Sequence, residues 1–210
     1  MSNEISLAEF LIDTWLPACE PTVRPTTFVS YAGHVRLHII PHLGDIPLGE
    51  LTPQHLNRLY AELRARGRLN RQKGLSPATV RLVHTTLRRA LKDAVRWGYR
   101  ADSPADGADA PRMRAGDWIE MKTWTADQLR TFLSFVKDDP LYPLWHMYAM
   151  TGMRRGELLG LRWSDVDLPA ARLAVRQTVV VLKGKFISSQ PKTARGRRVI
   201  ALDPGTVEVL

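Results

Sequence analysis

The sequence predicts a mainly α-helical protein carrying a small antiparallel β-sheet. Three observations predict it: four apolar stripes at helical spacing in the first hundred residues, Ser or Thr caps followed by Pro, and a late shift to β-branched segments broken by turns. With 210 residues the chain has room for one or two domains and a real core.

The elements follow in order. Ser6 caps a first helix over residues 6–18, with Glu9 three positions on as in a capping box and Leu7, Phe10, Leu11 and Trp15 as its buried stripe. Pro25–Thr26 opens a second, carrying Phe28, Tyr31, Val35 and Ile39 until Pro41 and Gly44 end it. Thr52 caps a third, Pro53 takes its first position, and Leu56, Leu59 and Leu63 face inward. Ser76 and Pro77 start the fourth, whose core side is Val80, Val83, Leu87, Leu91 and Val95 and whose stop is Gly98. Four helices on short links make a small bundle. Residues 101–121 are rich in Pro, Ala, Asp and Gly and read as a linker. Beyond it Thr125 caps a helix, "LYPLWHMYAMTG" forms another and "RRGELLGLRW" a third. "RLAVRQTVVVL", "KFISSQ" and "RRVIAL" then suggest a three-stranded antiparallel sheet. The closing "DPGTVEVL" reads as a helix start cut after about one turn, too short to hold itself together. Trp97, Trp124, Trp145 and Trp163 fall on apolar stripes and read as core.

Thirty Lys and Arg against twenty-one Asp and Glu give a net charge of +9 and a pI near 10.1, a balance that points to polyanions. The excess is uneven. Residues 1–51 carry a net −4, residues 52–116 a net +9 and residues 117–210 a net +4. Cys19 is the single cysteine, which excludes an intrachain disulfide and suits a reducing interior. An acidic start and the lack of any long apolar run speak against a signal peptide or membrane span, so a soluble, cytoplasmic protein is expected.

Candidate chemistry sits in three places. Arg81, Arg88, Arg89, Lys92 and Arg96 form a basic stripe on the fourth helix, opposite its apolar face, as a helix presented to DNA would. Arg154, Arg155 and Glu157 lie within one turn. Glu157 is spaced to hold the Arg154 guanidinium, either as a surface salt bridge or as the brace of a phosphate grip. Lys192 falls in a turn between two strands with Arg195, Arg197 and Arg198 behind it, either a solubilising edge or an anion contact. His34, His38 and His42 share a four-residue spacing, but no Asp, Glu or Cys joins them at a matching position, so no metal is expected. No phosphate-binding glycine loop, GxSxG or HExxH occurs.

The stretch "TGMRRGELLGLRWSDVD" is similar to the T-G-x-R-x-x-E-L-x-x-L-x-W-x-D-[IV] signature of the tyrosine recombinases, the phage-integrase type of site-specific recombinase. "SPATVRLVHTTLRRALKDAVRWGY" with the following "SPAD", and the strand–turn–strand "QPKTARGRRVIAL", resemble the same family, so nearly the whole chain is covered. The resemblance implies a four-helix, SAM-like core-binding domain over residues 1–100, a linker over 101–121, and the first half of an α+β catalytic domain over 122–210. It puts the first catalytic arginine on Arg154, its supporting acid on Glu157 and the catalytic lysine on Lys192, with Arg81, Arg88, Arg89, Lys92, Arg96, Arg195 and Arg197 as DNA contacts. In the implied chemistry a tyrosine attacks the scissile phosphate, forms a 3′-phosphotyrosyl bond and frees a 5′-hydroxyl, without cofactor or metal. Double-stranded DNA is the implied partner, and a homotetramer on DNA the implied assembly of the intact family. The five tyrosines all precede Lys192 and none stands in the family's nucleophile context; the His-x-x-Arg box and later His or Trp are also missing from these residues. A truncated integrase that binds DNA without cleaving it is therefore expected, with an apolar face of the second domain left uncovered. The alternatives are an inactive DNA-binding remnant that antagonises an intact recombinase, or a helical protein using the same basic block on RNA or a membrane surface.

Overall fold

The computed structural model describes residues 5–68, 73–112, 120–182, 184–189 and 196–210. It divides after Glu120 into two compact units.

The first unit is a helical bundle. A helical run over residues 7–22 (α1), π-wound at Phe10–Trp15, starts on the capping box in which Ser6 and Glu9 exchange hydrogen bonds of 2.8 and 3.2 Å. A second run covers residues 25–43 (α2) and opens on Pro25 without a side-chain cap; Pro53–Arg66 (α3) and Pro77–Arg96 (α4) follow, both started by the expected caps. Thr52 accepts from the His55 amide and Ser76 from the Thr79 amide, so two orphan donors are satisfied before packing begins. Leu7, Phe10, Leu11, Trp15, Val35, Ile39, Leu56, Leu59, Leu63, Val80, Val83, Leu87 and Leu91 meet in one core, as their spacing predicts. Two expectations need correction. Pro41 does not break α2: the backbone is π-wound over Val35–Ile39 and stays helical through Pro41 to Leu43, where the Gly44 amide still donates to the Ile40 carbonyl at 2.9 Å. At the end of α4 the buried position is Ala94, while Val95 is half-buried.

The segment read as a linker is not wholly a tether. Pro104 and Ala105 are buried on the bundle, Arg100 donates to the carbonyls of Leu48 and Leu51, and Asn57 on α3 bonds Asp109 at both its amide and its carboxylate. Periodicity cannot reveal such a strap, because it docks through single contacts rather than a repeating face.

The second unit begins with Ala126–Phe135 (α5), capped by Thr125 and Gln128, and Tyr142–Thr151 (α6). The third expected helix is a single turn, Arg155–Leu158 (α7), followed by a 3-10 turn at Trp163–Asp165. Among the described residues five strands follow: Val166–Asp167 (β1), Arg172–Val175 (β2), Thr178–Leu182 (β3), Lys185–Ser189 (β4) and Arg198–Ala201 (β5). The expected single sheet is two. β1, β2 and β5 form an antiparallel sheet in that order, and β3 pairs only with β4. "RLAVRQTVVVL" is divided at Arg176–Gln177, where Gln177 leaves the ladder and donates to the Gly160 carbonyl at 2.7 Å. Pro204–Val209 (α8) closes the described chain. It is held by packing rather than by its own length: Thr206 is buried, bonds His146 of α6, and Val207 and Leu210 join the second core. Of the tryptophans, Trp97 and Trp145 are half-buried, whereas Trp124 is exposed and Trp163 is 70% exposed. The core reading therefore fails for these two, each of which lies beside rather than within a full helix.

Candidate functional site

Two glycines set the backbone around Arg154. Gly152 ends α6 at φ +60°, a left-handed conformation that favours glycine and turns the chain sharply into Arg154. Gly156 lies where α7 meets β3; a Cβ there would stand 2.5 Å from Thr178 Oγ1 and 2.7 Å from the Val179 carbonyl oxygen. The absence of a side chain thus lets the turn carrying the arginine press against a strand.

Glu157 is the pivot. Its side chain is 4% exposed, while that of Arg154 is 79% exposed. The carboxylate accepts the Arg154 amide at 2.9 Å and Arg154 Nη1 at 2.9 Å, and it takes both terminal nitrogens of Arg198 at 3.2 and 2.9 Å. Burial pushes the Glu157 carboxyl up, yet the hydrogen bonds from Arg198 and from Arg154 outweigh it and hold the group down at about 2. The acid is therefore ionised at neutral pH. One arginine is braced at the back of it, and another is held at the front with donors to spare for an oxyanion.

Arg198 was grouped in the sequence with the hairpin cations, not with Glu157. The signal for the pairing is weak: an arginine opening a strand, forty-one residues from its partner. Lys192 and Arg195 lie outside the described residues. Arg197 is exposed and shares a cleft of about 610 Å3 with Arg176 and Arg198 at the β2–β5 edge.

On the first unit the basic stripe separates into two groups. Arg81 and Arg88 line a cleft of about 960 Å3 together with Arg64, His84 and Arg112. Arg88 is also paired with Asp106 of the strap at 2.8 Å, so an acid from outside α4 faces the stripe. Arg89 lies over the Tyr31 ring, its guanidinium carbon 5.4 Å from the centroid, and donates to the Tyr31 hydroxyl at 3.1 Å. Arg96 pairs with Asp93, which also accepts Trp15 Nε1 at 2.9 Å. Arg81, Arg88, Lys92 and Arg96 are exposed, and Arg89 is half-buried.

The histidine trio is dispersed in its contacts. His34 bonds Thr86 at 2.8 Å, and His42 meets Glu62 at 2.7 Å. Among the described residues no three His, Cys, Asp or Glu side chains gather as a metal-binding group, and no helix is long and apolar enough to cross a membrane. Tyr60 bonds His84 at 2.6 Å, and burial pushes its hydroxyl well above the usual range. Burial raises Tyr148 as well. An activated nucleophile needs the opposite shift.

Residues 8–64 match the family model described as phage integrase, N-terminal SAM-like domain. Over 99% of its length the chain is 27% identical to a tyrosine recombinase XerC-like protein of Caldanaerobacter subterraneus, and over 95% it is 24% identical to the ICEBs1 integrase of Bacillus subtilis. It spans 55% and 52% of those two relatives, about half their length. The fold matches that of the Tn1549 transposon integrase, solved in complex with a circular intermediate DNA, with a TM-score of 0.73, 19% identity and coverage of 98% of this chain and 63% of the other.

Proposed function

The chain belongs to the tyrosine recombinase, or phage integrase, family, and from that premise we propose that it acts in site-specific recombination or integration on duplex DNA, with Arg154 gripping the scissile phosphate. One observation carries the reading: an exposed arginine whose orientation is set by a buried, ionised Glu157 that a second arginine anchors from behind. A guanidinium fixed before the reaction stabilises negative charge growing on the non-bridging oxygens without reorganising. Lys192 is assigned the proton for the departing 5′-oxygen. Arg81, Arg88, Arg89, Lys92, Arg96, Arg195 and Arg197 are assigned to the DNA backbone, whose phosphates account for the basic excess. The Tn1549 integrase, solved on DNA, supports duplex DNA as the partner.

No tyrosine among these 210 residues serves as the nucleophile in this reading. A polypeptide of residues 1–210 binds duplex DNA and leaves it uncut. The test combines a salt titration of binding with incubation on a nicked duplex that traps covalent intermediates. Binding that weakens steeply with salt and yields no covalent adduct is the expected result. An adduct on any of the five tyrosines would overturn the assignment of the nucleophile, and equal affinity for RNA would favour the RNA-binding alternative.

A further inference from the structure

The second unit builds the arrangement around Glu157 a second time. Asp165, in the 3-10 turn eight residues on, has a side chain only 1% exposed, yet it is flanked by two arginines that both reach solvent. Arg162 holds it by two bonds, Nε to Oδ2 at 2.9 Å and Nη2 to Oδ1 at 3.2 Å, and Arg176 Nε stands 3.5 Å from Oδ1. Those bonds from Arg162 keep the Asp165 carboxyl below the usual carboxylate range against the effect of burial. A buried carboxylate is costly unless paired. Here the pairing also holds two guanidiniums whose side chains stay 53% and 64% exposed, with donors to spare.

The two arrangements share a cleft. Arg176, from the Asp165 group, and Arg198, from the Glu157 group, line the same opening at the β2–β5 edge together with Arg197, while Arg162 braces Asp165 from outside that lining. No carboxylate lines that cleft among the described residues. Purely structural ion pairs have no need of a shared basic cleft. An anion that spans the two groups does.

We propose that Arg176, oriented by the Asp165 that Arg162 also holds, forms in this cleft a second phosphate subsite that binds a DNA backbone phosphate other than the one gripped by Arg154. The subsite positions and does not react. It rests on the reading of the chain as a DNA binder, and it gives the firmly held Arg162–Asp165–Arg176 group a role.

The test is a fluorescence-anisotropy titration of a labelled duplex at several salt concentrations with the 210-residue chain, with Arg176→Gln, and with Arg176→Lys. Arg176 is chosen because Arg162 keeps Asp165 paired when it is lost. Arg162→Lys serves as a second variant, keeping the charge while removing the two-pronged hold on Asp165. Arg176→Gln is expected to weaken binding by about three- to tenfold and to reduce the slope of log affinity against log salt by about one, with an unchanged thermal midpoint. Arg176→Lys is expected to restore the slope and only part of the affinity, since an ammonium neutralises charge without the fork. Unchanged affinity and slope in Arg176→Gln, with the parent chain binding normally, would overturn the subsite alone. A parent chain that shows no salt-dependent binding would remove the DNA reading and the subsite with it.

Discussion

The two units solve opposite problems. The first places apolar side chains from four helices in one core and uses its polar groups at the ends, as caps, straps and surface pairs. Trp15, Phe10, Leu87 and Leu91 are fully buried there. The second has a core cluster of six buried apolar residues among those described, against twenty-three in the first. It puts charge where the first puts leucine, with Glu157 and Asp165 buried beside arginines. Helix α5 has no buried residue, Phe135 is 86% exposed, and Phe186, Met121 and Trp163 are open as well. The comparison teaches that the first unit is organised around area removed from water, whereas the second adds to a smaller core buried ion pairs that aim arginine side chains.

That contrast can be broken or sharpened by experiment. The largest effect is expected from Trp15→Ala, which removes a fully buried indole and its bond to Asp93. A loss of about 3–5 kcal/mol is expected in chemical denaturation, confined to the transition of the first unit. An equal shift in both transitions would show that the units do not unfold independently. Glu157→Gln comes next, at about 2 kcal/mol in the second unit, because the arginine bonds lose their charge assistance. A second-unit transition that stays in place would deny Glu157 its role as pivot.

The pH dependence of the second unit follows from the same carboxylate. The folded-state value of Glu157 is depressed to about 2 from an ordinary 4.5, so its contribution is complete above pH 4.5 and is lost as pH falls towards 2. Acid titration of the second-unit transition should therefore slope downward over that window, and Glu157→Gln should flatten the slope. Gly156→Ala is expected to cost about 1–3 kcal/mol by pushing α7 off β3, read as a lower melting temperature of the second unit only. The smallest effect is that of Arg81→Gln on the exposed stripe. Its stability should stay within about 0.5 kcal/mol of the parent, while the salt slope for duplex DNA falls by about one.

Caps and stripes were legible because they are local. Ser6, Thr52, Ser76 and Thr125 each act on an amide three residues away, and an apolar face needs only helical spacing to be seen. The Arg154–Glu157 pair was legible for the same reason, being one turn of helix. The strand segments were visible but their pairing was not. β-propensity marks a segment without naming its neighbour, and the break at Gln177 depends on a carbonyl seventeen residues upstream. The docking of residues 100–112 on the bundle leaves no periodic signal because its contacts come one at a time, from Arg100, Ala105 and Asp109.

By itself, then, the sequence determined the helical bundle, its buried face, the basic surface opposite, and the arginine and acid at the centre of the second unit. All of these rest on interactions within a few residues of chain, where spacing is geometry. Only the tertiary structure decided that Arg198 closes on Glu157 from forty-one residues away, that Arg162 and Arg176 share Asp165, and that a six-residue final helix holds. Those outcomes depend on burial. A carboxylate becomes a pivot only when packing removes it from water, and a short helix persists only when His146 and the second core receive it.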